Sequence, residues 1–481
     1  VAGVPRVPRP DGLLAAFDAA LPFALTAGQQ EVGEVLLREL AEPAPMNRLL
    51  QGEVGSGKTL VALRAMLAVV DAGGQAALLA PTEVLAQQHA RSLRDLLGPL
   101  AQAGELGSAE QATRVALLTG SLGAAERRAA LAEAASGDAG IVVGTHALLS
   151  EGVAFADLGL VVVDEQHRFG VEQRDALRAK SAAPPHVLVM TATPIPRTVA
   201  MTVYGDLEVS TLRELPRGRS PVRSVVVGVS EHPTWLDRAW QRVREAAAEA
   251  RQCFVVCPRI GGEEDDRLDD APDTDERRLP VAVGELQPLL AEGPLAGLRT
   301  AQLHGRMPPD DKDAVMRAFA AGQLDVLVAT TVIEVGVDVP NATVMVVMDA
   351  DRFGVSQLHQ LRGRIGRGTL PGLCLLVTDA PEGSPARQRV DAVAATSDGF
   401  VLSQLDLEQR REGDVLGADQ SGRRSSLRML QLLRDTDVIL AAREAAVALV
   451  DDDPELVRSP ALGAAVEGLR RAQQADYLEK G

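Results

Sequence analysis

Gly52-Glu53-Val54-Gly55-Ser56-Gly57-Lys58-Thr59 fits the pattern G-x-x-x-x-G-K-[ST], and its flanks supply a context. Apolar Leu49-Leu50 lead into it and Leu60-Val61-Ala62-Leu63 continue in helical register, so the loop joins a strand to a helix. A phosphate cradle requires that arrangement. Glycines let backbone N–H groups turn inward on phosphate oxygens, and the helix N-terminus adds positive potential. Lys58 is expected to reach the β- and γ-phosphates of ATP, and Thr59 to coordinate Mg2+. Gly52, Glu53, Val54, Gly55, Ser56 and Gly57 would line the same nucleotide.

Beyond the loop, Asp164-Glu165-Gln166-His167 comes directly after the apolar run Val161–Val163. Beside a phosphate loop, two acids at a strand end predict that Asp164 holds Mg2+ and Glu165 polarises the attacking water. A solvated turn is the bland alternative. Upstream, Leu21-Pro22-Phe23-Ala24-Leu25-Thr26 runs into Gln29. A glutamine amide offers a donor and an acceptor, enough to read an adenine edge, while Thr26 also suits a helix N-cap. Far downstream, Gln360-Leu361-Arg362-Gly363-Arg364-Ile365-Gly366-Arg367 spaces arginines to suit a terminal phosphate. A simple phosphate-loop enzyme needs only the first signature. Both together point to a two-lobed, ATP-hydrolysing motor whose second lobe senses the γ-phosphate, the design of a nucleic-acid translocase.

Short Val/Leu/Ile/Ala runs alternate with longer helical patterns, the mark of β-α units around a parallel sheet. Runs at Gln75–Ala80, Ile141–Val143, Leu158–Val163 and Val187–Met190 each end in a polar cluster, which predicts ligand-binding groups along one sheet edge. After Leu215-Pro216-Arg217-Gly218-Arg219-Ser220-Pro221 the alternation restarts at Gln252–Val256, Thr300–Leu303, Val326–Ala329, Thr343–Met348 and Leu373–Val377. The expected organisation is a linker or N-terminal extension over 1–20, a first α/β lobe over 21–215, a second over 216–384, and a helical region over 385–481. Gly261 to Arg278 is dense in acids and lacks apolar periodicity, so a solvated surface loop is expected there. The proline-rich start suggests a piece of a longer protein or an unusual start codon.

At 481 residues the chain exceeds one ordinary core. No apolar run is long and charge-free enough to span a bilayer, and no signal peptide opens the chain. Cys253, Cys257 and Cys374 are too few for a disulfide framework and are expected as core thiols, which suggests a reducing cytoplasm. The formal charge of −17 argues against bulk electrostatic binding of nucleic acid, without excluding a local basic track. Aromatics make up only 2%, so base stacking is scarce and any grip should be on the backbone.

The motifs, taken in order, resemble the RecG branch of superfamily 2 DNA helicases. Besides the phosphate loop and acid box, they include Ala80-Pro81-Thr82-Glu83, Leu118-Thr119-Gly120-Ser121, Gly144-Thr145-His146-Ala147-Leu148 and Thr191-Ala192-Thr193-Pro194. Leu303-His304-Gly305-Arg306-Met307, Ala329-Thr330-Thr331 through Pro340, and Gln360–Arg367 complete the series. The resemblance covers about Leu21 to Gly422 and implies two tandem RecA-like lobes with parallel sheets, followed by a mostly helical C-terminal region. It implies that Arg364 and Arg367 act as arginine fingers and that Phe23, Gly336 and Asp338 belong to the nucleotide site. It also implies that Gln166, His167, Thr191 and Thr193 link ATP state to DNA grip, and that Thr82, Thr119, Thr145, His146 and Thr330 approach the DNA backbone. Short hydroxyls contact phosphates without reading bases; a helix cap is the plain alternative for each threonine.

After the second lobe, Ser397-Asp398-Gly399-Phe400, Asp406-Leu407-Glu408, Arg410 and Gly417…Gln420-Ser421-Gly422 resemble the translocation motif that RecG shares with Mfd. Arg410 and Gln420 carry over, whereas Arg411-Glu412-Gly413-Asp414 and Asp419 depart from the common wording. RecG proteins normally begin with an OB-type wedge domain, and nothing before Leu21 is expected to form one. The implied partner is double-stranded, branched DNA, bound by a monomer, with the wedge needed for junction specificity. The alternatives are an Mfd-like translocase, a DEAD-box-like RNA remodeller, and a low-turnover nucleotide-gated DNA-binding protein. Asp-Glu-Gln-His followed by Phe169-Gly170-Val171-Glu172, with the Phe23–Gln29 segment, favours RecG over Mfd. Asp-Glu-Gln-His and the translocation-like tail disfavour the DEAD-box reading, and intact Lys58, Asp164, Glu165, Arg364 and Arg367 argue against a low-turnover binder.

Overall fold

Short apolar runs buried on both faces pair as parallel strands when helices cover the sheet. The computed structural model describes residues 3–53, 55–104, 108–150, 152–164, 183–192, 207–214, 221–261, 281–334, 339–368, 370–409, 436–454 and 456–468. Among these, two parallel sheets form. The first contains β1 (Asn47–Gly52), β2 (Gln75–Leu79), β3 (Val115–Leu118), β4 (Ile141–Gly144), β5 (Leu158–Asp164), β6 (His186–Thr191) and β7 (Glu208–Leu212), in the order β3-β4-β2-β5-β6-β1-β7. The second contains β8 (Val222–Gly228), β9 (Gln252–Val256), β10 (Thr300–Leu303), β11 (Val326–Ala329), β12 (Ala342–Val347) and β13 (Gly372–Thr378), in the order β10-β11-β9-β12-β13-β8.

Helices α1 (Leu13–Ala20) and α2 (Ala27–Leu40) answer a need created by the next helix in the chain. Helix α3 (Lys58–Asp71) buries Leu60, Val61, Ala62, Leu63, Ala65, Met66, Leu67, Ala68 and Val69. A helix apolar nearly all round must be covered on the side away from its sheet, and α1 and α2 pack there. The start of α1 has no side-chain cap of its own. Asp71, at the end of α3, supplies one: its carboxylate accepts the N–H groups of Leu13 at 2.6 Å and Leu14 at 2.9 Å. Arg6 is buried and makes a two-pronged ion pair with Asp157.

Residues 3–20, expected as a linker or N-terminal extension, pack on the first lobe through a helix anchored from a distance. Phe17 is 1% exposed in that core. Phe17→Ala should lower the stability of the first lobe by about 3–5 kcal/mol, read as a shifted denaturant midpoint. An unshifted midpoint would restore the linker.

The second lobe runs past the expected limit at residue 384. Helix α10 (Pro385–Ala395) packs on β8, and its Val390 and Val393 join the core together with Leu402 of α11 (Gly399–Gln409). Between β7 and α10 lie α6 (Thr234–Ala248), α7 (Val283–Glu292), α8 (Pro309–Ala320) and α9 (Val355–Arg362); α4 (Glu83–Leu97) and α5 (Ala124–Ser136) belong to the first lobe. Both sheets, through Asp406, fall in one compact unit. Residues from Leu407 onward belong to another, in which α12 (Thr436–Asp452) is described. The acidic stretch expected as a solvated loop lies almost wholly outside the described residues.

Candidate functional site

Because all the strands of the first sheet run parallel, their carboxyl ends share one edge. Register places Gln51 beside Thr191, Gly52 beside Leu212 and Asp164 beside Met190. The phosphate loop leaves that edge at Gly52 and enters α3 at Lys58. Gly57 has φ +87, and a Cβ there would lie 2.3 Å from Gln29 Nε2. At Gly52 a Cβ would lie 2.7 Å from both Leu212 O and Ser56 Oγ. Only glycine satisfies both positions. Ser56 Oγ is buried and has no hydrogen-bond partner among the described residues.

Of the two roles weighed for this segment, the structure shows the helix cap. Thr26 caps α2 and forms a reciprocal capping box with Gln29. The Gln29 Oε1 accepts the Thr26 N–H at 3.1 Å, while Nε2 donates to Ser56 O of the loop at 3.0 Å. The amide is thus committed within the protein on both sides. Phe23 is 49% exposed. Lys58 Nζ donates to the carbonyls of Gly52 at 2.8 Å and Glu53 at 3.0 Å, and Thr59 is half-buried on the first turn of α3.

Asp164 ends β5 with Oδ2 2.7 Å from His89 Nε2 on α4. Burial alone would push its carboxyl up. The His89 hydrogen bond and the charges of His89, Lys58 and Arg364 outweigh that and hold it below the usual carboxylate range. Sequence reasoning passed over His89. Its signal was periodicity: it lies three residues after Ala86 and four before Leu93, on the buried stripe of α4.

From the second lobe, α9 presents His359 and Arg362, with Arg364 two residues beyond. Arg362 is buried; its Nη1 donates to Val393 O and Thr396 O, each at 2.7 Å, and its Nη2 to His359 Nδ1 at 2.7 Å. Arg364 is half-buried, and its charge acts on Asp164 of the first lobe. Arg367 Nε donates to Gly363 O at 3.1 Å. The Glu53 carboxylate reaches across to His359 Nε2 at 2.8 Å and accepts the Gly399 N–H at 2.7 Å. Burial would raise the Glu53 carboxyl, but these hydrogen bonds and the nearby Arg362 charge hold it low.

Thr82, Thr119, Thr145 and Thr330 follow strands as expected, and the hydroxyls of the first three meet local partners. Thr82 caps α4 by accepting the Leu85 N–H at 3.3 Å, and Thr145 accepts the Ala147 N–H at 3.5 Å. Thr119 is fully buried beside Ser121; Thr191 and Thr330 are also buried, while His146 is exposed. Val54, Glu165, Gln166, His167, Thr193, Gly336, Asp338, Arg410 and Gln420 lie outside the described residues.

No group of three or more His, Cys, Asp or Glu gathers as a metal cage among the described residues. The donors at hand are the Thr59 hydroxyl and the ionised Asp164 carboxylate, hard oxygens of the kind Mg2+ takes together with phosphate oxygens and water. No helix among the described residues is long and apolar enough to cross a membrane.

Three family models match in series: "DEAD/DEAH box helicase" over residues 26–202, "Helicase conserved C-terminal domain" over 281–369, and "ATP-dependent DNA helicase RecG, domain 3, C-terminal" over 396–471. The ATP-dependent DNA helicase RecG of Mycobacterium tuberculosis is 59% identical over 98% of this chain. That of Synechocystis is 46% identical over 94%. The chain spans 63% of the length of the mycobacterial relative and 50% of the cyanobacterial one. A solved structure of RecG bound to a three-way DNA junction superposes with a TM-score of 0.70 at 35% identity, covering 91% of this chain and 53% of that one.

Proposed function

Because the chain belongs to the RecG family, we propose that it is the ATP-driven motor of a DNA helicase acting on branched, double-stranded DNA. The observation that carries this reading is the meeting of the two lobes at the phosphate loop, where Glu53 bonds His359 and Gly399 while the charges of Lys58 and Arg364 both bear on Asp164. Backbone N–H groups of the loop would receive the phosphates, and Lys58 would exchange its two carbonyl partners for β- and γ-phosphate oxygens. Thr59 and Asp164 would hold Mg2+, which when bound neutralises charge developing on the phosphoryl oxygens. Arg364 would stabilise the transferring phosphoryl group from the opposite lobe, and Glu165 would orient the attacking water. His89 would keep Asp164 ionised and aimed through their 2.7 Å contact.

Hydrolysis would then loosen the lobes and move the protein along duplex DNA. The curated relatives are named DNA helicases, and one relative's structure holds a three-way junction; branched DNA is accordingly the inferred substrate. With a formal charge of −17, the chain would grip phosphates at a local edge of the sheet and not by its overall field. Three free, buried cysteines suit a reducing cytoplasm.

The deciding measurement compares ATP turnover with branched DNA, linear duplex, single-stranded DNA and RNA side by side. Branched or duplex DNA should stimulate most. Equal stimulation by RNA would favour the RNA-remodelling alternative, and turnover absent with every nucleic acid would leave only a nucleotide-gated binder.

A further inference from the structure

Both oxygens of the Glu53 carboxylate are taken by the second lobe: Oε2 by His359 Nε2 at 2.8 Å and Oε1 by the Gly399 N–H at 2.7 Å. Hydrogen-bond logic fixes which nitrogen of His359 carries the proton. A guanidinium only donates, so the 2.7 Å contact from Arg362 Nη2 makes Nδ1 the acceptor and leaves the N–H on Nε2, aimed at Glu53. Arg362 is anchored in turn on Val393 O and Thr396 O, the end of α10. Next to Gly399, the Phe400 ring lies 5.4 Å from the Arg213 guanidinium of the first lobe, a second contact at the same junction. Meanwhile the Glu53 carbonyl accepts from Lys58 at 3.0 Å. One residue of the phosphate loop therefore holds the lysine by its backbone and the opposite lobe by its side chain.

We propose that the Glu53–His359 hydrogen bond seats Arg364 over the phosphate loop, making His359 a positioning residue for ATP hydrolysis. His359 and Arg362 lie on α9, and Arg364 follows that helix directly, so fixing His359 against Glu53 fixes where the guanidinium stands. When phosphates draw Lys58 from the Glu53 carbonyl, the same residue passes the change to α9 and, through Gly399, to the helix that opens the C-terminal region. This inference rests on the ATP-site reading above.

Two substitutions separate the halves of the imidazole. Asparagine places its amide oxygen near Nδ1, keeping an acceptor for Arg362 but falling short of Glu53. Glutamine reaches further and returns an N–H donor to Glu53. In the full chain, His359→Asn should lower kcat for ATP by roughly tenfold to a hundredfold with KM unchanged, since it disturbs orientation and not binding. His359→Gln should keep most of the parental kcat. Without nucleotide, amide exchange at Gly399 should quicken in His359→Asn and stay near parental in His359→Gln.

Parental kcat in both variants, equal loss in both, or loss confined to His359→Gln would overturn the proposal, the last marking a purely local role toward Arg362. Unchanged Gly399 exchange in His359→Asn would do the same. Lys58→Ala run in parallel tells the two claims apart. If it turns over ATP like the parent, the ATP-site reading itself fails. If it is inactive while His359→Asn is fully active, only the positioning role is lost.

Discussion

Lys58→Ala lowers ATP turnover by roughly a thousandfold or more, while DNA binding in the absence of nucleotide stays close to that of the parent. The expectation comes from where the ammonium already stands. Nζ is held by the carbonyls of Gly52 and Glu53 at 2.8 and 3.0 Å, at the mouth of a loop whose own shape depends on glycine geometry and on Gln29. Alanine removes the charge without disturbing the Gln29–Ser56 bond or the capping box, so the cradle should persist without its cation. The loss is a preorganised charge-assisted hydrogen bond to oxygens whose charge grows in the transition state. A thousandfold corresponds to about 4 kcal/mol of activation free energy, the scale of one such donor in a water-poor site. Phosphate release under saturating nucleotide and DNA, with fluorescence anisotropy for binding, measures both parts. Turnover within tenfold of the parent would remove Lys58 from the site.

Much of this site was legible in the chain because phosphate chemistry imposes local spacing. A loop of fixed length between strand and helix, and an acid at a strand end, are properties of contiguous residues: β1 ends at Gly52, α3 begins at Lys58 and β5 ends at Asp164. Three strands of the second sheet were equally plain: β9, β10 and β11 begin and end at the limits expected for them. The strands left unread, β3, β7 and β8, lie at sheet edges, a position they share with β10. An edge strand has a neighbour on one side only, and β7 and β8 carry polar residues and are only partly buried, so their apolar runs are short or broken.

Contacts between distant residues were illegible for a different reason. His89 against Asp164, Asp71 under the start of α1, and Glu53 against His359 are separated by 75, 58 and 306 positions. Nothing in the local pattern of either partner names the other. The threonines show the converse. Their positions after the strands were readable, yet Thr82 and Thr145 hold backbone N–H groups, a use the sequence permitted as readily as contact with DNA.

Arg364→Ala should reduce kcat by about 10^3-fold to 10^5-fold, the range for an arginine that stabilises phosphoryl transfer, and leave KM for ATP nearly unchanged. The second lobe supplies this guanidinium, and its charge is among those that keep Asp164 ionised. Arg362, two residues earlier, is buried and committed to Val393, Thr396 and His359, so its replacement would damage α9 and not test the chemistry. Arg367 has its Nε on Gly363 O, and Arg367→Ala should therefore have the smaller effect. The ordering separates a transition-state contact from general loss of positive charge, because both variants remove one charge from the same segment. Single-turnover hydrolysis with saturating DNA isolates the chemical step from product release. If Arg364→Ala hydrolyses ATP as fast as Arg367→Ala, the second lobe does not act through Arg364. A rise in KM with kcat intact would mean that the guanidinium binds ATP and its transition state equally.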